Sequence, residues 1–291
     1  MRAYSPSNWK HTGVVLLCLL PGLGLIILLI GTVISMAVAQ SVGYFNFSGP
    51  SEFSLIYWQK QLASPFLHRS VLYSAKISLL SSLISVGLAY MFAMWLRRPF
   101  PGSTMLGGLL KAPMMVPGLV AAFLLLNVIA FHGFVNEFLL WTNIISKPLR
   151  MQNDSFGTAV IFLQVWKQMP FALLVLIGPV QSIHNEIFDA ARDLGASAWT
   201  RFRKIVLPLT LTAMQAALIL VFIRAAGDFS FQVIVGPREV SSMAQYMYTV
   251  QRLYGEWNEA AVVAVVLMTM SLTGALLLAA VSQFLVTGRR R

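Results

Sequence analysis

The chain is short of charge, and of acid most of all. Only 11% of its 291 residues are charged, whereas a soluble domain carries about 25%. Ten carboxylates face 21 Lys and Arg. Cys18 is the single cysteine and sits inside an apolar run, so the chain can build neither an internal disulfide framework nor a cysteine metal site. His11, His68, His132 and His184 are far apart in sequence and share no expected face, so they suggest no metal or catalytic cluster. The phosphate-binding pattern G-x-x-x-x-G-K-[ST] is missing, which argues against ATP hydrolysis by this chain. The formal charge of +11 does not indicate nucleic-acid binding. The basic residues stand at the ends of apolar runs instead of clustering on one soluble face.

What the chain has is hydrophobic length: 57% of residues are apolar or aromatic. Crossing a ~30 Å hydrocarbon core takes roughly 20 residues of helix. Six segments suffice, at 12–39, 71–96, 104–131, 157–180, 209–235 and 259–286. They predict an all-α polytopic membrane protein with one transmembrane domain over 1–291. Ala37-Val38-Ala39 looks like a signal-peptidase site, yet the apolar run before it far exceeds an h-region of about 7–15 residues. The first segment is therefore read as an uncleaved span.

Orientation follows from the basic residues. With the N-terminus inside, Arg2, Lys10, Arg97, Arg98, Arg192, Arg201, Arg203, Lys204 and Arg289 to Arg291 are cytoplasmic. Lys60, Arg69, Lys147, Arg150, Arg238 and Arg252 are then outside, although the outer loops are longer. The excess inside favours N-in and C-in. Aromatic residues of the outer connections, among them Tyr57, Trp58, Phe138 and Trp141, fit the membrane interface.

The polar exception is the segment 185–208, between spans four and five and so cytoplasmic. Asn185 can cap a short helix whose first turn holds Glu186 and Asp189. Ile187, Ala190, Ala191 and Leu194 recur at i, i+3, i+4 and i+7 and make an apolar stripe. Glu186, Asp189 and Asp193 form an acidic face. Gly195 stands where a left-handed C-terminal cap is expected. Ser197 can cap a second helix with Trp199, Phe202 and Val206 on one face and Arg201, Arg203 and Lys204 supplying positive charge. Pro208 suits the first turn of span five. Such a loop can lie on lipid headgroups or dock against a protein. Its acidic first helix favours docking, because anionic lipid repels carboxylates.

Asp189-Ala190-Ala191, three residues, Gly195, nine residues, then Ile205-x-Leu207-Pro208 resembles the EAA loop of ABC-importer permease subunits. Asp189 stands where that family usually has Glu, which keeps the charge on a side chain one methylene shorter. The resemblance implies a type I ABC-importer permease of the bacterial inner membrane, with 185–208 as its coupling helix. It implies docking on two ATPase subunits, which use ATP and Mg while this chain binds no cofactor. It also implies pairing with a second, different permease chain, and delivery of solute by a periplasmic or lipid-anchored binding protein. Asp189, Ala190, Ala191 and Gly195 are carried over by position. Glu186, Arg192 and Arg201 join them as neighbours on the helices.

Charges inside spans need a reason. Arg224 and Asp228, at i and i+4 in span five, can pair with each other, line a translocation cavity, or both. Lys167 lies near Gln164 and Trp166, just before Pro170, which should bend or open the fourth span. Lys111 and Lys76 can snorkel. Gly227-Asp228-Phe229-Ser230 and Val235-Gly236-Pro237 look like the matching region in the polyamine, iron(III), phosphonate and sulfate branch. Asp228 with Phe229 suits an organic cation, so a polyamine is the first expectation, while the buried basic residues suit an anion. The alternative class is an ion-coupled secondary transporter. It would need an intramembrane ion site at broken helices in repeated halves, and no inverted repeat is evident.

Overall fold

The structure is a computed structural model that describes residues 9–47, 49–149, 151 and 153–287. Arg2, Arg150 and Arg289 to Arg291, which entered the orientation count, lie outside the described residues. Regular structure among the described residues is helical throughout. The first helix, α1 (Trp9–Ser41), packs along the last and presents Leu20, Ile27 and Val33 outward. After it come a short α2 (Ile56–Ala63) and a long α3 (Pro65–Trp95). The long helix starts six residues before the expected boundary. Pro65 occupies its first turn, where a missing N–H costs nothing.

The expected third span is not one helix. Chain 104–131 divides into α4 (Ser103–Lys111), a tight 3₁₀ turn (Ala112–Met115) and α5 (Gly118–Ile129). Pro113 and Pro117 cause the break: each removes a backbone donor and disfavours helical geometry in the residue before it. A four-residue turn, 130–133, ending at Gly133, leads to α6 (Phe134–Trp141). Helix α7 (Thr158–Gln181) matches the fourth span. It runs unbroken through Pro170 and Pro179, against the expected bend. Pro170 is buried, and the packing of α3 against α7 keeps the helix continuous.

The polar segment forms α8 (Asn185–Asp193), α9 (Ala198–Arg201), one π-helical turn (Phe202–Val206) and the single-turn α10 (Leu207–Leu209). The chain then bends by 79° at Thr210 into α11 (Leu211–Ala226). Pro208 therefore opens α10, not the membrane span. The span is itself interrupted: Gly227, Asp228 and Phe229 separate α11 from α12 (Ser230–Val235). The amphipathic α13 (Met243–Arg252), capped by Ser242, lies in the connection between the fifth and last spans, where the sequence reading named no helix. The last helix is α14 (Trp257–Thr287). Among the described residues, five helices are long and apolar enough to cross a membrane, or six with the bent pair counted as one span.

Helices α3, α7 and α11 form the centre, with α14 against α11. Ala89, Leu173, Leu176, Ala217 and Val221 are fully buried there. Helix α3 turns a row of buried serines inward, including Ser74, Ser78, Ser81 and Ser85. Small side chains of this kind let membrane helices approach closely. Gly274 does the same for α14, since a Cβ there would lie 2.4 Å from the Phe222 ring.

Candidate functional site

Two places gather the residues singled out by the sequence: the α8–α9 loop and a cavity in the helix bundle. In the loop the N-cap of α8 is His184, and Asn185 is already helical. The Asn185 side chain turns away from its own helix, and its Oδ1 accepts from Arg97 Nη2 at 2.8 Å. The same Arg97 nitrogen donates to Ile183 O at 2.7 Å, and its guanidinium lies 3.8 Å from the Phe188 ring centre. Phe188, 7% exposed, is therefore the side chain that anchors α8.

Of the stripe, Ile187, Ala190 and Leu194 face outward and Ala191 is half-buried. Ile187 is 42% and Leu194 88% exposed. Helix α8 closes as a Schellman motif: Ala196 N donates to Ala191 O at 2.9 Å and Gly195 N to Arg192 O at 2.8 Å. Gly195 has φ +77°, the left-handed conformation that glycine adopts without strain. Ser197 caps α9 by accepting from Thr200 N at 3.2 Å. Arg201 Nη1 donates to Ala196 O at 3.2 Å and so braces the turn between the two helices.

Of the second apolar face, Val206 is fully buried and Phe202 meets Tyr90 edge-on at 5.4 Å, while Trp199 stays 67% exposed. Asp189 lies 3.7 Å from Arg98 with both side chains more than half exposed. Such a surface pair is worth at most about 1 kcal/mol. Glu186 and Arg192 are exposed.

The second place is a cavity of about 490 Å³ lined by Met114, Lys167, Gln168, Phe171, Arg224, Gly227, Asp228, Phe229 and Ser230. That volume lies within the range for small-solute sites, about 300–1,000 Å³. It forms where both interrupted spans meet α7. Lys167 Nζ donates to Pro113 O at 3.0 Å and Met114 O at 3.1 Å, and also to Val116 O. The carbonyls in need of partners thus come from the proline break between α4 and α5, not from Pro170, and the lysine satisfies them.

Among the described residues no ion pair joins Arg224 to Asp228. The break at Gly227 removes the helical i, i+4 geometry that a pair would need. Instead Asp228 Oδ2 accepts from Phe231 N at 3.1 Å and caps α12, and the Arg224 guanidinium stacks 4.6 Å from the Phe171 ring. The Gln164 amide is fully buried close to the Asp228 carboxylate, yet neither its nitrogen nor its oxygen makes a hydrogen bond of good geometry. Trp166 lies outside the cavity lining and packs with the apolar cluster of Ala121, Val160 and Leu163.

Sequence reasoning missed Met114, Gln168 and Phe171 in the lining, and Tyr248, whose ring is tilted against Phe229 with centres 5.0 Å apart. The two closely spaced prolines were the available signal for Met114. Tyr248 had none, because its helix belongs to a connection between spans.

Comparison with known proteins places this architecture. The family described as binding-protein-dependent transport system inner membrane component matches residues 85–290. The chain belongs to that family, the permeases of ABC importers. It is 31% identical over 177 residues to the spermidine/putrescine transport system permease protein PotB of Escherichia coli K12, covering 60% of this chain and 64% of that protein. The match therefore spans a little under two thirds of this relative. It is also 29% identical over 223 residues to the molybdenum transport system permease protein ModB of the same organism, covering 72% of this chain and 90% of that one. A bacterial ABC transporter involved in import of the acidic polysaccharide alginate shares the fold, with a TM-score of 0.76 at 16% identity over 94% of this chain and 96% of that one.

Proposed function

We propose that this chain is the membrane-spanning, non-hydrolytic subunit of an ATP-driven, binding-protein-dependent importer. The observation that carries the proposal is the α8–α9 loop: a folded, internally capped element whose apolar stripe points away from its own bundle. Exposed apolar residues on a polar loop of a membrane protein call for a protein surface to cover them. In this reading the loop faces the cytoplasm, with both termini inside. One of the two ATPase subunits docks there through Ala190, Ala191 and the acidic face of Glu186 and Asp189, while Arg192, Gly195 and Arg201 set the shape of the turn. ATP and Mg are used on those subunits. A second permease chain completes the path, and a periplasmic or lipid-anchored protein supplies the solute. Proteoliposomes carrying the full set should accumulate solute only with ATP inside and binding protein outside. Accumulation driven by an ion gradient without ATPase subunits would replace this reading with a secondary transporter.

The cavity is proposed as part of the solute path, with Lys167, Arg224, Asp228 and Phe229 as its polar and aromatic contacts and the fully buried Gln164 behind Asp228, outside the lining. A polyamine is the first substrate reading, supported by Asp228 beside the Phe229–Tyr248 ring pair, where an ammonium finds both a carboxylate and π faces. The likeness to PotB points the same way. An oxyanion is the second reading. It is favoured by Arg224, which is paired with no carboxylate among the described residues, and by the likeness to ModB. Thermal stabilisation of the cognate binding protein by polyamines, metals or oxyanions decides between them. A melting shift with oxyanions alone would end the polyamine reading.

A further inference from the structure

We infer that a second cavity, between the end of α3 and the α8–α9 loop, holds the phosphate of an anionic phospholipid. The cavity measures about 280 Å³. Arg97, Arg98, Arg192 and Arg201 line it against one carboxylate, Asp189. Four guanidiniums gathered around so small a space, with one acid to offset them, form a strong anion trap. Part of this donor set is unspent: Arg97 Nε is buried without a hydrogen-bond partner, and Asp189 reaches Arg98 at only 3.7 Å.

The apolar side of the cavity argues for a lipid over a free anion. Trp95 is part of the lining and also ends an exposed stripe of α3 formed by Ile84, Met91 and Trp95. These residues are spaced by seven and four, which puts them on one face of the helix. Met91 is 67% and Trp95 57% exposed. A tryptophan at the end of a spanning helix marks headgroup level. An acyl chain can therefore run down the stripe while its phosphate sits among the arginines, as in other basic pockets at the cytoplasmic ends of membrane helices. Of the acidic face of α8 only Asp189 enters the lining, and Glu186 and Asp193 lie outside it. The site would tie lipid composition to the position of the loop. It rests on the membrane placement of the chain and on the loop facing the cytoplasm, not on docking of an ATPase.

The test uses the purified full-length chain in mild detergent with equimolar phosphatidylglycerol and phosphatidylcholine, read by native mass spectrometry. We expect about tenfold preferred retention of phosphatidylglycerol, falling about fivefold in the double variant R98Q/R192Q. These two arginines are chosen because Arg97 and Arg201 also hold backbone carbonyls. D189N, which removes the one carboxylate, should raise the preference. Equal retention of both lipids, or a preference unchanged in R98Q/R192Q, would overturn the inference. So would displacement of the lipid by millimolar inorganic phosphate, which would make the pocket a small-anion site, or by added ATPase subunits, which would assign the arginines to a protein interface.

Discussion

The loop and the cavity are built on opposite principles. The loop is held together by its own short-range bonds: the Gly195 turn, the Ser197 cap and the Arg201 brace join residues within five positions of each other. Its apolar stripe is left uncovered. The cavity is assembled from the breaks in two spans, and its bonds are long-range, as with Lys167 and carbonyls more than fifty residues away. It gathers Lys167, Arg224 and Asp228 around one space. The loop therefore contributes a surface and little stability. The cavity concentrates stability and polarity where apolar solvent surrounds it. A substitution in the cavity should damage both folding and transport, whereas one in the loop should uncouple while leaving the fold intact.

The sharpest way to break this contrast is Lys167→Met. It removes the donor to three backbone carbonyls, two of them part-buried, and should cost about 1–2 kcal/mol of stability, visible as a lower melting temperature in detergent together with lost transport. A melting point equal to wild type would show that water or another side chain satisfies the break. Asp154 offers a smaller effect with a definite pH dependence. Burial pushes its pKa up, but N–H groups of Thr158, Ala159 and Gly157 at the start of α7 outweigh this and hold it below the usual carboxylate value. The stabilisation is thus present at neutral pH and lost as pH falls through the lowered value. Asp154→Asn should cost about 1 kcal/mol at pH 7, and its melting temperature should converge on wild type in acid.

Ser197→Ala in the loop should cost about 1 kcal/mol or less, as removal of an N-cap does. Its signature is reduced helical protection of α9 in hydrogen exchange while the bundle stays protected. The smallest effect belongs to the Arg98–Asp189 pair. A double-mutant cycle with Arg98→Gln and Asp189→Asn should give a coupling under about 1 kcal/mol that fades with salt. A larger, salt-resistant coupling would mean that the loop is anchored by charge and not by Phe188.

The same division explains what could be read from sequence. Hydrophobic length alone located the helical bundle, and spacing alone gave the left-handed Gly195 and the Ser197 cap, because both depend on neighbours within one turn. Asn185 was misread as a cap because its true partner, Arg97, is 88 residues away. The unbroken spans expected at 104–131 and 209–235 failed at Pro113, Pro117 and Gly227. An average over some twenty residues does not register a break of a few. Arg224 and Asp228 line one cavity but form no pair among the described residues, since pairing presumed a helix that ends between them. Helix α13 was overlooked because its apolar face is too short to register as a span.

The central claim is that the exposed stripe of α8 transmits ATP-driven motion. It is tested most directly by Ala191→Trp in the reconstituted complex, measuring stimulation of ATP hydrolysis by solute-loaded binding protein. The account predicts normal assembly of the bundle and basal hydrolysis, with the stimulation abolished. Wild-type stimulation in that variant would contradict it.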